Sequence, residues 1–314
     1  MNTQTCFLRV LKACLLAMFL LYGRAATCAE PIVPDRECGT DYCLGAFSAP
    51  SPALFQAPGQ SSPLPPAPAP APDLVQVAVS NPVSLVWRNY VQGYNSLWKM
   101  QGAEVDAKNR ILDIRVPWTI VGVADFDNDG KDDLLWRNGN EAKLVIMYMD
   151  GQNRRENLPL SNIVVQRPWN VVGVADFDGD TKQDILWRND SLGRTVIMLL
   201  DGDARKENII LPAIYAPWYV VGVGDFDNDG KADIVWRNHN LARTVFMLMD
   251  GVQIKQKIIL DRTVKSHWYV KATGDFDGDG KTDLVWRNIY GSNSIMFMDG
   301  TSARSTSPLP KVPL

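Results

Sequence analysis

A block of about fifteen residues recurs along this chain at a step of about fifty residues. Consecutive copies of its acidic half begin 51, 49 and 50 residues apart, at Asp125, Asp176, Asp225 and Asp275. Its second half, Trp-Arg-Asn, occurs five times on the same step, beginning at Trp87, Trp136, Trp187, Trp236 and Trp286. A fixed period of this length indicates that one small supersecondary unit is stacked against copies of itself.

The acidic half carries Asp at relative positions 1, 3, 5 and 9. Alternating carboxylates converge on one point when the backbone turns sharply, and a hard cation such as Ca²⁺ takes six to eight oxygen ligands. An EF-hand loop begins in the same way, but it needs a Glu at position 12 and helices on both sides. Here position 12 is a Trp, and flanks such as residues 120–124 are short and rich in β-branched residues. The loop therefore joins two strands.

We predict up to four calcium sites, one in each acidic loop. Each site takes four Asp carboxylates and the backbone carbonyl of the Lys at position 7. The predicted ligands are Asp125, Asp127, Asp129, Lys131, Asp133, Asp176, Asp178, Asp180, Lys182, Asp184, Asp225, Asp227, Asp229, Lys231, Asp233, Asp275, Asp277, Asp279, Lys281 and Asp283.

The second loop departs from the others because Thr181 stands at position 6, where they have Gly. If position 6 needs a positive φ, a β-branched residue there costs about 1 kcal/mol. We expect this loop to bind its cation most weakly or with altered geometry.

The repeat Asp-Phe-Asp-x-Asp-Gly-Lys-x-Asp, followed by Trp-Arg-Asn, resembles the FG-GAP/VCBS-type repeat of bacterial surface proteins. That repeat is related to the Ca²⁺-carrying blades of integrin α-subunit propellers. The resemblance covers about residues 74–310 and implies an all-β fold, a β-propeller with Ca²⁺ in the hairpin between the first two strands of a blade. It implies no single activity, since such propellers serve adhesion, glycan binding and scaffolding.

Each fifty-residue unit is typical of four short antiparallel strands, A to D, separated by turn residues. Residues 74–314 are therefore predicted to form a propeller of about five four-stranded blades. The first unit has Ser80-Asn81-Pro82-Val83-Ser84 in place of the acidic loop, yet it keeps Trp87-Arg88-Asn89. Because Trp-Arg-Asn persists without the loop, we predict a structural role for it. Trp packs between blades, Asn suits the B–C turn, and Arg reaches a neighbouring acid or carbonyl.

The segment before the repeats has three predicted parts. Residues 1–29 read as a secretory signal peptide, because basic residues precede a short apolar run and small residues follow it; lipidation of Cys28 is the alternative. In residues 30–73, Cys38 and Cys43 are predicted to form a disulfide, with two free thiols as the alternative. The Pro/Ala-rich tract that follows is predicted to be a disordered linker.

Strand order predicts two different faces of the disc. The A–B loops and C–D turns lie together on what we call the acidic-loop face, and the B–C turns and D–A connections lie on the opposite face. In the propellers that this chain resembles, the metal-free face is the ligand face. Ligand-face candidates are therefore Trp118, Trp169, Trp218, Trp268, Arg137, Arg188, Arg237 and Arg287. A structural role, with Trp capping the blade junctions, is the alternative.

These features favour a secreted, calcium-stabilised binding or adhesion module rather than an enzyme. Its predicted partner is an extracellular protein or a glycan. A lectin that uses the Trp/Arg/Asn face is the second interpretation, and a polysaccharide hydrolase or lyase using His239 or His267 is the third. The formal charge of −3 with no basic patch argues against nucleic acid. Because residues 1–29 are predicted to be a secretory signal peptide, we expect the mature chain outside the cell, at the cell surface or in the periplasm. It has no segment predicted to span a membrane.

Overall fold

The structure is a computed structural model that describes residues 73–77, 84–89, 93–111 and 113–310. For residues 73–77 it gives the strand and its backbone pairing. The predictions of a signal peptide, a Cys38–Cys43 disulfide and a Pro/Ala-rich linker concern residues outside these ranges, and they remain predictions.

The described residues form twenty β-strands, in five consecutive groups of four. Blade 1 consists of β1 (Asp73–Val77), β2 (Ser84–Asn89), β3 (Tyr94–Gln101) and β4 (Glu104–Ile111). Blade 2 consists of β5 (Trp118–Ala124), β6 (Asp133–Asn138), β7 (Lys143–Asp150) and β8 (Asn153–Pro159). Blade 3 consists of β9 (Asn170–Ala175), β10 (Asp184–Asn189), β11 (Arg194–Asp201) and β12 (Ala204–Ile210). Blade 4 consists of β13 (Trp218–Gly224), β14 (Asp233–Asn238), β15 (Arg243–Asp250) and β16 (Gln253–Ile259). Blade 5 consists of β17 (Trp268–Gly274), β18 (Asp283–Asn288), β19 (Asn293–Asp299) and β20 (Ser302–Leu309).

Every blade is an antiparallel sheet whose four strands follow one another in chain order, A-B-C-D. The A strands line the centre, and each lies beside the A strands of the two neighbouring blades, including β1 beside β17. The predicted all-β propeller with five four-stranded blades is therefore confirmed, and the ring is closed. The first strand belongs to its own blade and is not exchanged with the last one, because β1 pairs with β2.

The hydrophobic core is divided into five clusters, and each cluster lies between two neighbouring blades. The closing cluster joins Leu85, Trp87 and Trp98 of blade 1 to Ala272 and Phe276 of blade 5. Each B strand is almost wholly buried because blades cover both of its sides, and each Trp of Trp-Arg-Asn is only 2 % exposed. Burial of these large rings stabilises the ring by the apolar area that it removes from water.

The Arg of each Trp-Arg-Asn lies over the Trp of the next blade. The guanidinium carbon lies 5.2 Å from the ring centroid in the pair Arg88–Trp136 and 4.8 Å in Arg137–Trp187. The other pairs are Arg188–Trp236, Arg237–Trp286 and Arg287–Trp87. A cation over an indole face within this distance is attracted by the ring quadrupole. Five such pairs form one circle, as the predicted structural role of the motif requires.

Three A strands approach the next A strand so closely that only Gly fits. A Cβ added to Gly122, Gly173 or Gly222 would lie 2.4–2.5 Å from a methyl carbon of Val174, Val223 or Thr273, respectively. Such a contact forces the neighbour to move, so the small residue sets the diameter of the centre.

Candidate functional site

The four acidic loops lie between the A and B strands of blades 2 to 5. Each loop folds around its first Asp, whose two carboxylate oxygens accept backbone N–H groups further along the loop. Asp125 accepts from Asp129 at 3.1 Å and from Gly130 at 2.8 Å, and Asp225 accepts from Asp229 and Gly230 at 3.2 and 2.8 Å. In the second loop Thr181 donates to Asp176 at 2.8 Å with φ at +69°. Position 6 is therefore a positive-φ position, as the sequence analysis supposed.

The Asp at position 9 is fully buried and joins the loop to strand C of its own blade. One oxygen of Asp133 accepts the Phe126 N–H at 3.0 Å, and the other accepts the Met149 N–H at 2.8 Å. The same two bonds recur in the other three loops. Burial raises the pKa of Asp133, Asp233 and Asp283 to about 7 and that of Asp184 to about 6.

The structure brings three carboxylates together in each loop, with the approaching oxygens within 4.8 Å of one another. Positions 1, 3 and 9 converge in blades 2 and 3: Asp125, Asp127 and Asp133, and Asp176, Asp178 and Asp184. Positions 1, 3 and 5 converge in blades 4 and 5: Asp225, Asp227 and Asp229, and Asp275, Asp277 and Asp279. The acidic loops could therefore bind a metal ion. Each of the four predicted carboxylate positions, 1, 3, 5 and 9, belongs to the converging group in at least one loop.

The donor set suits a hard cation. Its atoms are carboxylate oxygens, the ligands that Ca²⁺ takes in proteins. Oδ1 of Asp227 is buried and accepts no hydrogen bond from the described residues. A buried anionic oxygen without a partner is costly, so a cation at this position would satisfy it.

The side chain of the Lys at position 7 pairs with the Asp that ends strand C. The distance is 3.0 Å from Lys131 Nζ to Asp150 Oδ1 and 2.5 Å from Lys182 Nζ to Asp201 Oδ1. Lys231 pairs with Asp250, and Lys281 with Asp299. These pairs join the A–B loop to the C–D turn, which confirms that both lie on the same face. That the Lys carbonyls are metal ligands stays a prediction.

Sequence reasoning missed a basic residue on strand D that reaches the carboxylates at positions 3 and 5. In blade 2 this residue is Arg155, which pairs with Asp127 and lies 2.6 Å from Asp129. In blade 3 Lys206 lies 2.6 Å from Asp178 and 3.1 Å from Asp180. Lys255 and Arg304 make the same two contacts in blades 4 and 5. A signal was present, because each basic residue follows position 3 by 27 or 28 residues.

The A strands and the acidic loops also line a central cavity of about 630 Å³. Its walls include Val123, Val174 and Val223, and its rim includes Asp125 and Asp225. Both carboxylate oxygens of these two aspartates accept backbone N–H groups of their own loops. The rim of the cavity is therefore part of the acidic loops already described and not a separate site.

On the opposite face, the four predicted arginine candidates are wrong as ligand contacts. Arg137, Arg188, Arg237 and Arg287 are at most 5 % exposed. Arg137 donates to the Trp169 carbonyl at 2.6 Å and to the Val165 carbonyl at 2.9 Å, in the connection that leads into the next blade. Covered by that connection and by the next Trp ring, the guanidinium groups have no surface to offer a ligand. The Asn of the motif accepts B–C turn N–H groups, as predicted.

The predicted tryptophans are half-buried, and other side chains form the exposed apolar surface. Trp118, Trp169, Trp218 and Trp268 pack against the inter-blade clusters. Twelve large hydrophobic side chains are exposed among the described residues, and all lie at blade ends or connections that border the opposite face. They are Tyr94, Val116, Val164, Leu192, Ile210, Tyr215, Tyr219, Leu241, Ile259, Tyr269, Ile289 and Tyr290.

The two histidines lie among these exposed rings, at the junction of blades 4 and 5. The ring centroids of His239 and Tyr269 are 4.3 Å apart, and those of His267 and Tyr290 are 6.1 Å apart. Burial lowers the pKa of His239 and so favours its neutral imidazole. Tyr290 is 77 % exposed and leaves this aromatic group open to solvent.

The charge of the opposite face is predominantly basic. Its acids Asp113, Glu141 and Asp190 are each paired with a basic side chain, and Asp261 accepts the Ala303 N–H. Five exposed basic side chains there form no ion pair with any described residue: Arg115, Arg167, Arg194, Arg243 and Lys265. No helix long and apolar enough to cross a membrane occurs among the described residues.

Comparison with solved structures found matches of low sequence identity. A chain of a nidogen/laminin complex is 15 % identical over 76 % of this chain and 80 % of that one, with a TM-score of 0.46. A calcium-binding protein, regucalcin, from Agrobacterium tumefaciens is 12 % identical over 77 % and 76 %, with a TM-score of 0.45. Virginiamycin B lyase from Staphylococcus aureus is 11 % identical over 77 % and 71 %, with a TM-score of 0.39.

Sequence comparison identifies the repeats themselves. No curated protein matches the chain. The FG-GAP-like repeat matches residues 125–187 and 176–236, which run from one acidic loop to the Trp of the next repeat. The FG-GAP repeat matches residues 268–295, which contain the acidic loop of blade 5. The matched segments are blades of the ring described above, so the protein is a β-propeller that contains FG-GAP repeats.

Proposed function

We propose that this protein is a secreted, calcium-stabilised binding module that engages an extracellular partner through its opposite face and has no catalytic activity of its own. The observation that carries the proposal is the distribution of exposed apolar groups: all twelve exposed large hydrophobic side chains of the described residues border that one face. A concentration of exposed apolar and aromatic groups on one surface is typical of an interaction site.

Calcium has a structural role in this proposal. The acidic loops lie on the other face, and their position-1 and position-9 carboxylates are held by backbone N–H groups. A cation bound there would hold together the A–B hairpin, whose like charges repel one another. Calcium would thus stabilise four of the five blades without contacting the ligand.

The first test probes the face itself. The labelled full-length protein is incubated with arrays of polysaccharides and of extracellular proteins, in calcium and in EDTA. Removal of the exposed rings in Tyr269→Ala/Tyr290→Ala should weaken binding at least tenfold, as expected for aromatic anchors. The matched control is Gln253→Ala, an exposed residue at the start of strand D beside the other face. Equal loss in both variants, or binding unchanged by the tyrosine variant, would contradict the proposal.

A second candidate function, recognition of an acidic glycan, is favoured by the charge of the same face. Exposed Tyr rings can stack on sugar rings, and the five unpaired basic side chains would attract carboxylates or sulfates. On the array, uronic-acid or sulfated polysaccharides should then bind more tightly than neutral ones. The preference should shrink as salt is raised. Binding confined to proteins would contradict this candidate and leave the first one standing.

The absence of catalysis is tested separately. The protein is incubated with each polysaccharide that it retains, and the products are analysed for shorter chains. We expect none. Depolymerisation that survives purification and is lost in His239→Ala or His267→Ala would overturn this part of the proposal.

A further inference from the structure

The basic residue that reaches each acidic loop always occupies the same irregularity of strand D. In blade 2, Tyr148 pairs with Glu156 and Met149 pairs with Arg154, which leaves Arg155 as the extra residue of a β-bulge. The same bulge occurs in blades 3, 4 and 5, where the extra residue without a partner in the strand register is Lys206, Lys255 or Arg304, respectively. A bulge re-aims its extra side chain, and here the basic group contacts the carboxylates of its own blade.

Blade 1 provides an internal comparison. Its strand D has the bulge at the same place, since Lys99 pairs with Ala107 and Met100 with Val105. The extra residue there is Asp106, and this is the blade whose A–B segment contains no acidic residue. The charge of the bulge residue therefore follows the charge of the loop: basic in the four blades with an acidic loop, acidic in the one blade without it.

The contacts use the carboxylate pair at positions 3 and 5. Lys255 Nζ lies 2.7 Å from Asp227 Oδ2 and 3.0 Å from Asp229 Oδ2. The other oxygen of Asp229 accepts the Lys231 N–H at 3.0 Å, whereas Oδ1 of Asp227 accepts no hydrogen bond from any residue that the structure describes. The ammonium group thus holds the outer oxygens of two carboxylates that are also predicted metal ligands.

From this geometry we propose that Arg155, Lys206, Lys255 and Arg304 are built-in counter-cations that compete with calcium for their loops. Without metal, the single positive charge of the basic group offsets part of the repulsion between the carboxylates at positions 3 and 5 and keeps the hairpin folded. When calcium enters, its charge repels the basic group and the ion pairs are given up. The apparent calcium affinity of each loop is therefore set partly by its bulge residue. This inference rests on the calcium binding proposed above.

The test compares two double variants of the full-length protein that lose the same charge. Lys206→Met/Lys255→Met removes the counter-cations of blades 3 and 4. Arg205→Met/Lys257→Met removes exposed basic residues nearby on the same strands, for which no ion pair with a described residue occurs. Calcium is titrated calorimetrically into each metal-free protein, and melting curves are recorded in EDTA and in calcium.

We expect the first variant to bind calcium on the order of fivefold more tightly than the second, the scale that exposed ion pairs support. It should also melt at a lower temperature than the second in EDTA but not in calcium. Equal affinities, or weaker binding in the first variant, would overturn the inference while leaving calcium binding intact. If the first variant folds only in calcium, the counter-cation role is supported. If the wild-type protein takes up no calcium, the proposed metal role fails and the inference fails with it.

Discussion

The guanidinium carbon of Arg287 lies 5.5 Å from the centroid of the Trp87 indole ring, so a residue of the last blade covers a residue of the first. The four other Arg–Trp pairs join blades that are also consecutive in the chain. This fifth pair joins blade 5 to blade 1, which lie at opposite ends of the repeats in the sequence. The circle of Arg–Trp pairs is therefore a property of the closed ring and not of any single repeat.

Loss of a buried Arg should destabilise the ring more than loss of an exposed one. Arg188 donates to the Thr195 hydroxyl and to the Ile214 carbonyl, and it is 1 % exposed. Arg188→Met should lower the free energy of unfolding by about 3 kcal/mol, because buried acceptors lose a charged donor. Arg194→Met, at an exposed position six residues later, should change it by less than about 0.5 kcal/mol. Urea denaturation measures both, and similar losses would contradict the structural role.

Calcium removal should lower the melting temperature. If each of four sites is held at ten times its Kd, binding stabilises the fold by about 1.4 kcal/mol per site, or about 6 kcal/mol altogether. The melting temperature should then fall by about 10–20 °C in EDTA. Asp225→Ala should reproduce part of this loss, and Asp203→Ala, in an exposed turn, should not. A melting curve unchanged in EDTA, with no metal found by elemental analysis, would refute the calcium assignment.

The metal-free protein should become more stable as the pH falls from 8 to 6. Burial raises the pKa of Asp133, Asp233 and Asp283 to about 7 in the folded state, against about 3.9 when unfolded. The folded state therefore binds more protons in this range, and its stability decreases as pH rises. Melting curves in EDTA at several pH values measure the slope. Asp233→Asn should reduce it, and a slope of opposite sign would contradict the assignment.

A methyl group added between A strands should destabilise the centre. The Cβ of Gly173→Ala would lie 2.5 Å from Val223 Cγ1, so the substitution should cost about 1–3 kcal/mol. Blade 5 has Ala272 at the corresponding register, opposite Val285 as Gly173 is opposite Leu186. Ala272→Gly should cost about 1 kcal/mol through backbone entropy and lost packing. Denaturation of both variants tests this; a neutral Gly173→Ala would mean that the strands can move apart.

Much of the architecture could be predicted from the sequence because every repeat contains the residues that determine its strands and turns. The period fixes the number of units, and the turn residues and apolar runs fix four strands in each. The acidic register predicts where carboxylates converge. These are local properties, and Asp125 finds its partners within five residues of its own position.

The rest depends on contacts between distant residues. Because Arg137 is charged, the sequence predicts a surface position for it, but the connection before blade 3 and the Trp187 ring cover it. Arg155 meets Asp127 only because the C–D hairpin folds strand D back beside the loop, 28 residues later. Tyr219 and Tyr269 each follow the Trp that begins strand A, but Tyr215 and Tyr290 have no counterpart in the other repeats, so no pattern marked them.

Each blade is built from one uninterrupted stretch of chain, and no strand of the described residues is borrowed by a neighbouring sheet. Among the described residues, packed side chains of blades 1 and 5 therefore hold the closing junction together. The end of β20 could be joined to the start of β1 and the chain reopened at any D–A connection, with the five sheets and their contacts retained. During evolution, duplication and loss of whole repeats could therefore change which blade comes first in the chain. No intermediate in that process would contain an incomplete blade.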